Sequence, residues 1–140
     1  MEETDLAYYA GLFDGEGCVT LHPTQISSSK QRQTYFLSVH LTSVNKEVIL
    51  ELQTSFGGYS ITYEGGGNRN TAYRWVVVRN TAFLFLNSVL PYLRLKKHRV
   101  ELALIFHTHK KRGGHKTQEY IDFEKDYKQN FLILNHRGKV

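Results

Sequence analysis

From Leu6 to Gly17 the chain reads Leu-Ala-Tyr-Tyr-Ala-Gly-Leu-Phe-Asp-Gly-Glu-Gly, and this stretch constrains the fold more than any other. Leu6, Ala7, Ala10, Leu12 and Phe13 are good helix material. Yet Gly11 falls inside the helix and Gly15 near its end, and a helical glycine costs about 1 kcal/mol relative to alanine. Ala7, Gly11 and Gly15 recur at a spacing of four, which sets them in one strip of minimal side chains along a helix face. A second helix can pack on such a strip, backbone against backbone. Asp14 and Glu16 fall where the helix ends, and an acid there is disfavoured unless a cation or a hydrogen-bond donor answers it. A bound metal ion is the natural candidate.

The 140 residues predict one domain spanning 1–140, with enough chain for a substantial core. No apolar run approaches the roughly 20 residues needed to cross a bilayer, and the acidic stretch Met1 to Asp5 is unlike a signal peptide, so a soluble protein without a membrane partner is expected. Cys18 is the only cysteine, which rules out an internal disulfide and argues against a cysteine-based zinc site. The formal net charge is +5, but it is unevenly spread. Residues 1–95 hold seven Lys/Arg against eight Asp/Glu, whereas residues 96–140 hold eleven against five. Lys96, Lys97 and Arg99 form one basic cluster, and Lys110, Lys111, Arg112 and Lys116 another. Either can neutralise phosphates, although solvated helices also carry such runs.

Cys18 to His22 reads as a strand, followed by a polar, turn-rich stretch from Pro23 to Arg32 and a clearer strand from Gln33 to Thr42. In that second strand Tyr35, Leu37, Val39 and Leu41 point one way, and Thr34, Phe36, Ser38 and His40 the other, as expected for one core face and one wet face. Asn45 is placed to cap a helix running to about Ser55, ended by Gly57 and Gly58. Tyr59 to Glu64 and Ala72 to Arg79 predict a second hairpin, with Tyr73, Trp75 and Val77 toward the core. Ser60, Thr62, Glu64 and Arg74 are expected on the wet face beside Thr34, Ser38 and His40. A helix ended by Pro91 follows, then helices over roughly Lys97 to His109 and Gln118 to Leu134.

Residues Tyr9 to Gly17 closely resemble the signature of the LAGLIDADG homing endonucleases, with Tyr9, Phe13, Gly15 and Glu16 replacing leucine, isoleucine, alanine and aspartate. The element order, read without the motif, is similar to that family's α-β-β-α-β-β-α arrangement, here with an extra C-terminal helix. The resemblance implies an α+β fold whose four-stranded antiparallel sheet forms half of a DNA-binding saddle. With one motif copy it implies a homodimer through Ala7, Gly11, Asp14 and Gly15, and a partly palindromic double-stranded target. It further implies site-specific, divalent-metal-dependent DNA cleavage, with Glu16 and the Gly15 carbonyl as ligands for Mg²⁺ or another divalent cation. The source it suggests is a mobile intron or intein-like element in a bacterial cytoplasm or organelle matrix. An RNA maturase serving a host intron, or a non-cutting DNA-binding regulator, are alternatives on the same scaffold.

The segment Leu90 to Lys97 also resembles the family, and by alignment Lys96 is the lysine beside the scissile phosphate, with Lys97 the alternative by one residue. Where relatives often carry a water-positioning glutamine this chain has Ser43, with Glu47 a turn later. Asp14 is expected to order helix ends rather than touch metal. The DNA contacts expected on the hairpins are Arg32, Thr34, Ser38, His40, Ser60, Thr62, Glu64, Arg69 and Arg74, with Arg74 best suited to a bidentate pair with guanine. His107, His109 and His115 lack the neighbours of a zinc site and read as phosphate contacts or exposed residues.

Overall fold

The computed structural model describes residues 1–24 and 33–137. Helix α1 (Glu3–Glu16) begins with Glu3 and Asp5 in its first turn, where the helix dipole favours acids. It buries Tyr9, Ala10, Phe13 and Asp14 and leaves Ala7, Gly11 and Gly15 exposed. Gly17 ends the helix, and a Cβ there would sit 2.1 Å from the Phe13 ring, so no larger residue fits without displacing that ring. The chain then turns directly into β1 (Gly17–Pro23), which pairs antiparallel with β2 (Tyr35–Ser43).

Helix α2 (Lys46–Phe56) follows the Asn45 cap, whose side chain accepts the Val48 N–H at 3.2 Å. Gly57 and Gly58 close it with φ of 84° and 85°. A Cβ on Gly58 would lie 2.3 Å from the Val76 carbonyl oxygen, which makes glycine necessary at this close approach. Strands β3 (Tyr59–Tyr63) and β4 (Ala72–Val78) complete a sheet of order β1-β2-β4-β3 with every neighbour antiparallel. Helix α3 (Arg79–Val89), a 3₁₀ turn at Leu90–Tyr92, α4 (Lys97–Thr108) and α5 (Gln118–Arg137) follow. The expected α-β-β-α-β-β-α order is therefore present, with α4 and α5 beyond it.

Val19, Leu21, Leu37, Val39, Leu41, Trp75 and Val77 form the core side of the sheet. Against them Phe85 meets Phe13, Phe56 and Trp75 edge to face, at centroid distances of 4.8 to 5.6 Å. Trp75 satisfies its indole N–H on the Gly57 carbonyl at 2.8 Å. Along the outer edge of β1, α5 supplies the missing ladder partners: the Lys128 ammonium donates to the Leu21 carbonyl at 2.6 Å and the Asn135 amide to that of Val19 at 3.3 Å. An edge strand is thereby covered rather than left open for pairing.

The second hairpin corrects one expectation. Ile61 pairs with Arg74 while Ser60 pairs with Trp75 and Thr62 with Tyr73, so Ser60 and Thr62 lie on the helix side and not beside Arg74. Ser60 indeed donates to Gln53 of α2 at 3.0 Å. All five β3 residues are exposed, so burial imposes no alternation from which its two faces can be phased. Glu64 lies just beyond the strand end.

Candidate active site and nucleic-acid interface

The end of α1 is tied to the link before α4 by one carboxylate. Asp14 is buried, and its Oδ2 accepts the Arg94 N–H at 2.8 Å while its Oδ1 accepts those of Leu95 and Lys96 at 3.2 and 3.0 Å. Three backbone donors answer an acid that the helix dipole alone would disfavour. The Lys96 ammonium donates in turn to the Asp14 carbonyl. Burial first, and then Arg99, hold this ammonium below its usual range, against the opposing pull of Asp14, Cys18 and Glu16. Lys96, not the exposed Lys97, is thus the lysine drawn against the helix end.

Glu16 stands exposed at the terminus of α1. The last carbonyls of a helix have no intrahelical donors. Phe13's accepts the Gly17 N–H and Asp14's accepts Lys96, and the Gly15 carbonyl follows them in the chain, one residue before Glu16. Carboxylate and carbonyl oxygens are hard donors of the kind Mg²⁺ takes, so the residues fit such an ion. They fit it only in part: among the described residues no group of three or more His, Cys, Asp or Glu is placed to hold a metal. A complete coordination shell needs oxygens from elsewhere. Asp14, with both oxygens already engaged, belongs to the scaffold of the site.

The sheet face away from the helices carries Cys18, Thr20 and His22 from β1, and Phe36, Ser38, His40 and Thr42 from β2. Arg74, Val76 and Val78 of β4 and Tyr59, Ile61 and Tyr63 of β3 complete it. Arg74 is pre-set: its Nε donates to Thr42 Oγ1 across the strands at 2.9 Å, and its guanidinium lies 5.3 Å from the Tyr63 ring centroid. His40 shares a shallow groove with Arg74, and burial first, then Arg74, pull its imidazole below the usual range. Ser38 lines the same groove but is only 2% exposed, at its floor.

Other expected contacts lie further out. Thr34 bonds Thr24 side chain to side chain at 2.6 Å at the base of the first hairpin, and Glu64 and Arg69 are exposed near the tip of the second. Arg32 lies outside the described residues. Ser43 pairs with Tyr73 on the helix side and accepts the Asn45 N–H at 3.0 Å, which removes its hydroxyl from the open face. Tyr59, Ile61, Tyr63, Thr42 and His22 were not anticipated on the open face. The only sequence signal for them is position, every second residue from Arg74 or His40 once the register is known.

An antiparallel sheet with helices on one face, an open groove lined by Arg74 and His40 on the other, and an exposed carboxylate two residues past a lysine-bound carbonyl at the end of the first helix define a class of α+β domain. The model of the LAGLIDADG endonuclease family matches residues 9–111. That is more than half of the 140 residues, and the chain belongs to this family. A comparison with curated proteins finds no match. Among solved structures, the homing endonuclease I-CvuI in complex with its target, in the presence of 2 mM Ca, gives a TM-score of 0.63 at 17% identity over 89% of this chain and 94% of that one. The archaeal intron-encoded homing endonuclease I-Vdi141I complexed with DNA gives 0.58 at 15% identity over 95% and 99%. The I-LtrWI LAGLIDADG homing endonuclease bound to target DNA gives 0.70 at 19% identity over 91% of this chain but 44% of the other. At such identities the likeness is one of fold. No helix among the described residues is long and apolar enough to cross a membrane.

Proposed function

We propose that this protein is a homodimeric, site-specific endonuclease that hydrolyses both strands of a partly palindromic DNA target with a divalent cation. The observation that carries this reading is the end of α1, where Glu16 is exposed two residues past the Asp14 carbonyl that receives the Lys96 ammonium, where Asp14 also holds the backbone of residues 94–96, and where Glu16 is among the charges acting on that ammonium. A regulator that only binds DNA has no use for that carboxylate and ammonium. Glu16 and the Gly15 carbonyl would hold Mg²⁺, which when bound supplies positive charge at the phosphate and a water of lowered pKa. Lys96 presents its ammonium to the charge that grows on the phosphoryl oxygens as water adds to phosphorus and the bond to the 3′ oxygen breaks. Arg74, His40 and Thr42 read base edges from the sheet.

One chain supplies one acid, so the proposal requires two copies brought together at α1. Gly11 and Gly15 support this: a Cβ on either would meet no atom within 4 Å, so the small-residue strip is open to a partner helix. The test is to incubate purified protein with DNA carrying the uninterrupted host site, with and without Mg²⁺. Paired nicks that appear only with the ion support the reading. Tight binding without cutting would leave the regulator, and preferential binding of host-intron RNA would leave the maturase.

A further inference from the structure

The open face of the sheet does not stop at Val78. The next residue, Arg79, is the one non-glycine residue among those described with positive φ, at 53°. Asparagine or glycine would sit there without strain, and a strained backbone persists only where its surroundings determine it. The turn swings the Arg79 guanidinium over Phe36, with Cζ 4.2 Å from the ring centroid. Phe36 is shared by the base-reading groove and by a second hollow, which Arg79, His107, Lys110 and Arg112 also line and no carboxylate does. Within that hollow Lys110 is already neutralised by Glu124 at 2.9 Å, the sole salt bridge among the described residues. Arg79 and Arg112 have no carboxylate partner there, and Arg112 is held by Asn80 Oδ1 at 2.7 Å and by His107 Nε2 at 3.1 Å. His107 is itself fixed, stacked on Phe83 with centroids 4.9 Å apart.

The register gives the distance. Gly17 lies level with Leu41, and Phe36 is five residues further along β2. At about 3.3 Å per residue the hollow lies roughly 17 Å from the Glu16 end of the sheet, or about five nucleotide steps outward. We propose that Arg79 and Arg112 clamp a backbone phosphodiester of duplex DNA at the outer end of each half-site. This rests on the reading of the open face as a DNA surface. Two guanidiniums without a carboxylate partner, one of them held in place by Asn80 and His107, suit phosphate oxygens, and a backbone contact there fixes the register in which Arg74 reads bases.

The test uses the full chain, parent and Arg79→Asn/Arg112→Gln, binding a mixed-sequence duplex of about 30 base pairs across about 50 to 200 mM salt. Asparagine accepts the left-handed backbone, so the variant's melting temperature should hold or rise. The slope of log affinity against log salt should become shallower by about 0.9 for each bound chain that loses its phosphate. The Arg79→Lys/Arg112→Lys variant should keep the parental slope. An unchanged slope in the neutral variant, with the parent binding normally, overturns the clamp alone. Failure of the parent to bind duplex DNA overturns the underlying reading, and a slope change confined to structured RNA overturns the clamp in favour of an RNA contact.

Discussion

Asp14 and Glu16 are separated by one residue yet meet opposite surroundings. Asp14 faces three backbone N–H groups and is consumed by them, whereas Glu16 projects from the helix end into solvent. Only the second carboxylate has capacity left for a cation. Glu16→Gln keeps the size and removes the charge that would hold Mg²⁺, while phosphate and sheet contacts remain, so DNA binding in Ca²⁺ should persist and cleavage in Mg²⁺ fall by at least about 100-fold. Parental cleavage by the variant would move the metal centre elsewhere. His40 supplies a second residue-scale expectation. Its folded pKa lies below the ordinary 6.5, through burial and then Arg74 and His22. The unfolded chain therefore takes up the proton more readily, so this contribution to stability is complete above about pH 6.5 and is lost as pH falls below it. The urea midpoint should accordingly drop less steeply on acidification for His40→Gln than for the parent. His22 and His107 are shifted the same way and keep the variant's slope from vanishing. Identical slopes in parent and variant would exclude His40 as a source of the acid sensitivity.

At the scale of elements, what was legible in the sequence is what local chemistry decides. The Asn45 cap, the glycine stop after α2 and the alternation in β2 each follow from a side chain and its immediate neighbours. The face of β3 did not, because an exposed edge strand offers no burial to phase it, and its register is set by β4 instead. The helix-end site was legible as a motif, but the grip of Asp14 on residues 94–96, some eighty positions away, is a tertiary fact. So is Glu124, a carboxylate at 0% exposure in α5 that accepts the Tyr35 N–H at 2.7 Å and the Lys110 ammonium at 2.9 Å. It ties α5 to the start of β2 and to the segment after α4. Glu124→Ala would strand a partly buried cation and a backbone donor together, a loss of up to about 3 kcal/mol. Denaturant unfolding followed by far-UV circular dichroism measures it, and a loss under about 1 kcal/mol would show that the pair contributes geometry rather than stability.

At the scale of the whole molecule, a helix with a bare glycine strip on its outer face puts local stability and assembly in opposition. Within one chain Gly11 packs against nothing: a Cβ would have no atom within 4 Å, and the residue is exposed. Folding of the single chain would thus be served by a larger residue, and Gly11→Leu should add up to about 1 kcal/mol of helix propensity to the isolated chain. In the proposed dimer the same leucine would hold the two α1 helices apart by the width of its side chain, and with them the two Glu16 carboxylates and the two sheets that this arrangement would set on the target. Gly11→Leu is therefore expected to yield a well-folded protein that sediments as a monomer, binds DNA weakly and makes no double-strand break. Sedimentation of parent and variant, free and with duplex DNA, together with far-UV circular dichroism, separates this from a folding defect, because the variant should keep the parental spectrum and a cooperative unfolding transition even as it loses the stability that association adds. A parent protein that remains monomeric even on DNA, or a Gly11→Leu dimer of parental activity, would show that the strip is not where two copies meet.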